Sequence, residues 1–80
     1  MKVIISGALR AAAGGHSEFE VAPGTINQIL ARLAHDHPVL QPLLEEGVSV
    51  AVDGVVYRSD FTREVAAGSE VILLTPIVGG

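Results

Sequence analysis

The sequence predicts an α+β domain in which a mixed β-sheet carries one main helix across a face. Three observations carry that expectation. Runs rich in β-branched residues open the chain, recur after its midpoint and return near its end. A single stretch, Ile26 to Leu33, repeats apolar residues at helical spacing. The resulting order is hairpin, helix, hairpin and final strand, and a helix packed on one sheet face is the economical solution for it. Eighty residues make a single domain, 1–80.

Taken in order, Lys2-Val-Ile-Ile-Ser6 reads as a first strand that runs on towards Arg10. Ala11 to Ser17 holds Gly14-Gly15, which is turn chemistry. Ser17 to Ala22 alternates polar and apolar residues, as a half-buried second strand does, and completes a first hairpin. Pro23-Gly24 breaks the pattern. Thr25 then opens the helix, and with Gln28 it fits a capping box, in which each side chain satisfies a free amide of the first turn. Ile26, Ile29, Leu30 and Leu33 form one apolar stripe. Pro38 should stop or kink the helix near His37.

Val39, Leu40, Leu43 and Leu44, interrupted by Pro42, predict a short packed helical turn that Gly47 closes. Val48, Val50 and Val52 alternate with Ser49, Ala51 and Asp53 as a third strand with one buried face. Asp53-Gly54 is a strong hairpin-turn signal, and Val55 to Arg58 returns as a fourth strand. Ser59 to Ala67 reads as an irregular connection. Gly68-Ser69 turns into Glu70 to Thr75, whose Val71 to Leu74 run is continuously apolar and suits a central strand. The first and last strands both lack clean alternation and are expected at the centre of the sheet.

Composition bounds the function. Apolar residues make up 49% of the chain, and the mean hydropathy is positive. A chain this short buries only about 60% of its unfolded surface, so part of the apolar content is expected outside as a contact site. Leu9 and Phe61 are the hardest to place in the core, and they are the candidate partner-docking positions, with burial as the other possibility. The net charge is −4 and the five basic residues are scattered. That gives no basic stripe for nucleic acid, and it suits a basic docking patch on a protein partner.

Cysteine is absent, which removes disulfides and thiolate chemistry together. No signal segment is visible and no apolar run is long enough to span a bilayer, so a soluble cytoplasmic protein without membrane attachment is expected. His35 and His37, two apart on a helix, point to different faces. They suit the carbonyls at the helix end better than a metal. His16 lies in a turn, Gly14-Gly15 lacks nucleotide-loop spacing, and no Ser, His and Asp spacing marks a triad. Neither a bound cofactor nor a catalytic side chain is expected.

The end of the chain is different. Pro76 has no amide hydrogen to donate, so sheet pairing should stop there. Pro76, Ile77, Val78, Gly79 and Gly80 then form a flexible C-terminal tail that reaches at most roughly 17 Å when extended. Glycine has no side chain, so Gly79-Gly80 can thread a channel too narrow for other residues.

Three segments carry a resemblance: Val50-Ala-Val-Asp-Gly54, Ala67-Gly-Ser-Glu-Val71 and Thr75-Pro-Ile-Val-Gly-Gly80. On them the chain resembles the MoaD/ThiS family of ubiquitin-like sulfur carriers. Its ending is most similar to that of the molybdopterin synthase small subunit. It departs from the family pattern in three places. Ala67-Gly68-Ser69-Glu70 stands where Asp-Gly-Asp-Glu is common, Asp53-Gly54 replaces Asn-Gly, and Thr75 replaces a frequent second proline.

The resemblance implies a β-grasp fold and chemistry at Gly80. A ubiquitin-activating-enzyme-like adenylyltransferase would use ATP to adenylate the terminal carboxylate. A desulfurase or rhodanese-type sulfur donor would convert it to a thiocarboxylate. The large subunit of a molybdopterin synthase-type enzyme would then receive the sulfur on a pterin precursor. Pro76, Ile77, Val78 and Gly79 would be the tail that enters the partner's channel. Carriers for cysteine or another thiocarboxylate pathway use very similar tails, whereas thiamine-type carriers, a further alternative, usually lack the proline before the tail. A protein modifier conjugated to target lysines would use the same tail, although Lys2 is the only lysine here and branched self-chains through internal lysines are impossible. An interaction module with an idle tail is the remaining alternative.

Overall fold

The computed structural model describes residues 1–75. Strand β1 (Lys2–Ile5) leads into helix α1 (Gly7–Ala12), β2 (Glu18–Glu20), the short β3 (Gly24–Thr25) and the main helix α2 (Ile26–Asp36). A 3₁₀ turn (Pro38–Leu40), α3 (Gln41–Glu46), β4 (Ser49–Val52), β5 (Val55–Tyr57), β6 (Glu64–Val65) and β7 (Val71–Leu74) complete the order. The principal sheet has five strands in the order β2-β1-β7-β4-β5. Only the β1–β7 pair is parallel, so the sheet is mixed. The continuously apolar β7 takes the centre and β1 lies beside it, as the missing alternation in both predicts.

Alternation along each strand sorts the sheet into two faces. Val3, Ile5, Val50, Val71 and Leu73 are buried on one face. Against them pack Ile26, Ile29 and Leu33 from α2, with Leu30 at the margin. The helix starts where the capping box places it. The Gln28 amide donates to Thr25 Oγ1 at 3.2 Å, and the Thr25 amide donates to Gln28 Oε1 at 3.0 Å. It ends at Asp36, before Pro38. The Asp53-Gly54 turn has φ of 49° and 86°, the left-handed pair that a tight two-residue hairpin requires. Among the described residues the core holds no buried polar or charged side chain.

The structure corrects the sequence reading in three places. The first strand does not run on towards Arg10: it ends at Ile5, and residues 7–12 are helical. Ala8-Leu9-Arg10-Ala11-Ala12 is good helix-forming composition. Gly14 and Gly15, at φ of 72° and 93°, then end the helix in the left-handed conformation that suits a C-terminus. The Gly15 amide reaches back to the Arg10 carbonyl at 2.9 Å. β1 and β2 still pair antiparallel, but across a helix rather than a hairpin turn.

Leu9 is the second correction. Helix α1 turns it into the core, where it is fully buried, so it offers no docking surface. Third, the connection from Ser59 to Ala67 is not simply irregular. β6 pairs with β3 in a separate two-stranded sheet. The Arg63 and Phe61 carbonyls accept from the Ile26 and Asn27 amides at 3.0 and 2.9 Å, supplying partners that the first turn of a helix lacks. Phe61 itself packs half-buried against the core.

Truncating Leu9 to alanine should therefore destabilise the fold by about 2–5 kcal/mol. Urea denaturation measures this directly. A loss within about 0.5 kcal/mol, as for an ordinary surface position, would return Leu9 to the surface.

Candidate functional site

The candidate site starts from the strand that leads to it. β7 is hydrogen-bonded on both sides, with Val71, Ile72 and Leu73 opposite Val3, Ile4 and Ile5, and with Leu74 opposite Ser49. The strand ends at Leu74 and the half-buried Thr75 follows. The sequence-predicted tail (Pro76, Ile77, Val78, Gly79 and Gly80, the last expected to carry the chemistry) lies outside the described residues.

The face of the sheet turned away from α2 is apolar as well. Ile4, Ile72, Ala51 and Val56 form one register row across four strands. Leu74 stands in the next row on the same face, by the period of two. None of these five belongs to the side chains packed against the core. Val56 remains 48% exposed, and its neighbour Val55, at the sheet edge, 54%. The Lys2–Glu18 pair at 3.7 Å flanks the β1–β2 side of this face. Surplus apolar surface thus exists, as composition predicts, but it lies on this face, at Val55 on the opposite side of the edge strand and at Val39, rather than at Leu9. The signal was present in β1 and β7: strands without clean alternation carry apolar side chains on both faces.

A polar clasp locks the approach to β7. The Glu70 amide donates to Asp53 Oδ1 at 2.9 Å, and the Asp53 amide donates to the Glu70 carbonyl at 3.0 Å. The Glu70 amide, followed by the Ser69 side chain, holds the exposed Asp53 carboxyl below the usual carboxylate range. This joins the β4–β5 turn to the turn that feeds the last strand. Asp60 is lowered in the same sense, first by the Thr62 hydroxyl at 2.7 Å, with Arg63 adding to it.

The histidines do not converge. His35 Nδ1 lies 3.4 Å from Asp36 Oδ1 in solvent, and the His37 ring packs on Phe19 with centroids 4.3 Å apart. These contacts replace the expected ones to helix-end carbonyls. Among the described residues no group of three or more His, Cys, Asp or Glu is arranged to hold a metal ion. No helix there is long and apolar enough to cross a membrane.

Comparison with known proteins bears on both fold and site. The ThiS family model matches residues 3–80. No curated protein matches the sequence. Among solved structures, SAMP1 from Haloferax volcanii has a TM-score of 0.76 at 24% identity, over 99% of this chain and 97% of that one. The BexX/CysO complex of Amycolatopsis orientalis contains a chain with a TM-score of 0.76 at 22% identity, over 99% and 98%. The complex of subunits 1 and 2 of the molybdopterin-converting factor from Helicobacter pylori contains one at 0.70 and 16%, over 99% and 96%. The mixed sheet with its crossing helix is the ubiquitin-like β-grasp fold.

The Asp53 clasp has a pH signature. Its folded-state pKa is depressed, so its stabilising contribution is present above the unfolded value of about 4 and is lost as pH falls through the folded value. Asp53→Asn keeps a residue that tolerates the left-handed turn but cannot titrate. Urea midpoints between about pH 5 and pH 2 should fall less steeply for this variant than for the wild type. Parallel curves would show that the fold does not favour the Asp53 carboxylate.

Proposed function

This chain belongs to the ThiS family, matched from residue 3 to residue 80, and on that premise we propose that it is a sulfur carrier working through the carboxylate of Gly80. The observation that carries the proposal is the extent of the match, which runs through Gly79-Gly80 and leaves no part of the tail out. The residues agree with it. No cysteine offers sulfur another place, and the catalytic side chains belong to the partners.

The chemistry begins with a poor electrophile. The Gly80 carboxylate attacks the α-phosphorus of ATP on an adenylating partner, and pyrophosphate leaves. The terminal sulfur of a donor persulfide then attacks the acyl carbon and expels AMP. A thiol cleaves the resulting acyl disulfide, so that a thiocarboxylate remains on Gly80 and a disulfide forms on the donor side. The carrier binds no cofactor in this scheme, because ATP is the partner's substrate. It supplies the acyl group, the tail of Pro76, Ile77, Val78 and Gly79 that reaches the partner's active site, and a surface by which to be held.

The helix-free sheet face, with Ile4, Ile72, Leu74 and Val56, is that surface. Leu74 sits on it one residue before Thr75 and two before the tail. Apolar contact there, with the mildly acidic charge around it, fits a protein partner rather than nucleic acid. Complexes among the similar structures, BexX with CysO and the two molybdopterin-converting factor subunits, support a partner enzyme for this chain too.

Molybdopterin formation is the pathway we favour, because the ending Pro76-Ile-Val-Gly-Gly80 suits the small subunit of such a synthase. A pterin precursor held by a large subunit would then receive the sulfur, in the cytoplasm. Similarity to the small archaeal modifier protein 1 of Haloferax volcanii favours a second reading, in which the same activated Gly80 is joined to a target lysine.

Intact-mass measurement of protein from its native host separates the two. A sulfur-for-oxygen gain that vanishes when Gly80 is deleted is expected of the carrier, whereas lysine-linked adducts alone would give the protein to the modifier reading. Appending one residue after Gly80 should leave the melting temperature unchanged and abolish thiocarboxylate formation. Formation at the native rate would overturn the mechanism.

A further inference from the structure

We infer that Gly7 is a positioning residue for the tail, a role that rests on the carrier function proposed above. β1 and β7 are parallel, with Ile5 opposite Leu73. Parallel strands leave a sheet at the same end, so the chain beyond Ile5 and the chain beyond Leu73 depart side by side. Gly7 and Thr75 meet there. A Cβ built on Gly7 would lie 3.2 Å from Thr75 Oγ1, closer than ordinary van der Waals contact between such atoms. Thr75 is β-branched and stiff at χ1, so a side chain at position 7 would displace it or its backbone. Thr75 is also the last residue before Pro76.

The other left-handed glycines set this apart from a turn requirement. Gly14, Gly15, Gly47 and Gly54 also have positive φ, between 72° and 117°, yet an added Cβ at any of them meets nothing within 4 Å. Gly7, at φ of 61°, combines the same backbone demand with a close approach, and that approach is to the residue from which the tail departs. α1 adds the reason the space is tight: its fully buried Leu9 anchors the helix against the core, so the start of α1 cannot swing away from Thr75.

In a docked complex the sheet face would fix the domain and the partner's channel would fix the carboxylate. Thr75 is the joint between them. A misplacement of 1 Å at a reacting group can cost about 100-fold in rate. On that scale a shift of a few tenths of an ångström at the joint gives roughly threefold or more. The loss belongs in kcat and not in KM, because the docking face is untouched.

The test uses the full chain with an adenylating enzyme of the ubiquitin-activating type, read by Gly80-dependent ATP–pyrophosphate exchange. Gly7→Ala should lower kcat roughly threefold or more with KM unchanged, and Gly14→Ala, equally strained but facing open space, should change neither. Gly7→Asn and Gly14→Asn repeat the comparison with a residue that tolerates the left-handed backbone, should the alanine variants fold poorly. Adding Thr75→Ala to Gly7→Ala should restore kcat.

Equal effects at positions 7 and 14, or failure of Thr75→Ala to rescue, would overturn the positioning role. A folded wild type without Gly80-dependent exchange would instead overturn the carrier function, and the positioning role with it.

Discussion

The pairing of β7 between β1 and β4 is the interaction on which the rest of the domain depends. It joins the two ends of the described chain in parallel, which no local turn can do, and it brings Val71 and Leu73 beside Val3, Ile5 and Val50. Those side chains are the floor on which Ile26, Ile29 and Leu33 of α2 rest. A parallel pair needs a long crossover, and nearly everything from α1 to β6 is that crossover. Because the partners are parallel, the same pairing decides which end of the sheet the last strand leaves from and what stands next to it there.

Around this pairing the polar contacts are few and placed at junctions. The N-terminus of α2 is satisfied twice, by its own capping box and by carbonyls from the connection after β5. Arg32, near the middle of α2, donates through Nη1 to the Ala22 and Pro23 carbonyls ahead of the helix at 3.0 and 2.8 Å. Gly24 sits under both: a Cβ there would meet the Gln28 amide oxygen and lie 2.8 Å from Arg32 Nη1. Its glycine answers a close approach rather than an unusual backbone angle. The Asp53 clasp performs the equivalent task beside the start of β7, holding the last turn to the β4–β5 hairpin.

The two sheet faces divide the labour. One is covered by α2 and makes the core, and the other leaves Ile4, Ile72 and Leu74 half-buried and Val56 exposed. A domain of this size has too little helix to cover both faces, so apolar residues beyond the core's capacity collect on the open one. That is where the tail of a carrier protein would need a partner to hold it.

Much of this was legible in the residues. The capping box of Thr25 and Gln28, the stripe of Ile26, Ile29 and Leu33, the stop before Pro38 and the Asp53-Gly54 turn are local signals, set by neighbours within a few residues, and the structure keeps all of them. The tail motif was legible as well, through its resemblance to a family rather than through geometry. Leu9 reads as a docking candidate when the strand is carried on towards Arg10; the helix over residues 7–12 instead turns it into the core. The β3–β6 pair and the meeting of Gly7 with Thr75 depend on residues far apart in the chain. By itself the sequence determined most of the elements, the central position of its most apolar strand and the resemblance to the family whose model it matches. The tertiary structure alone decided which apolar residues are left outside and what stands beside the exit of β7, because both follow from long-range pairing that no local pattern encodes.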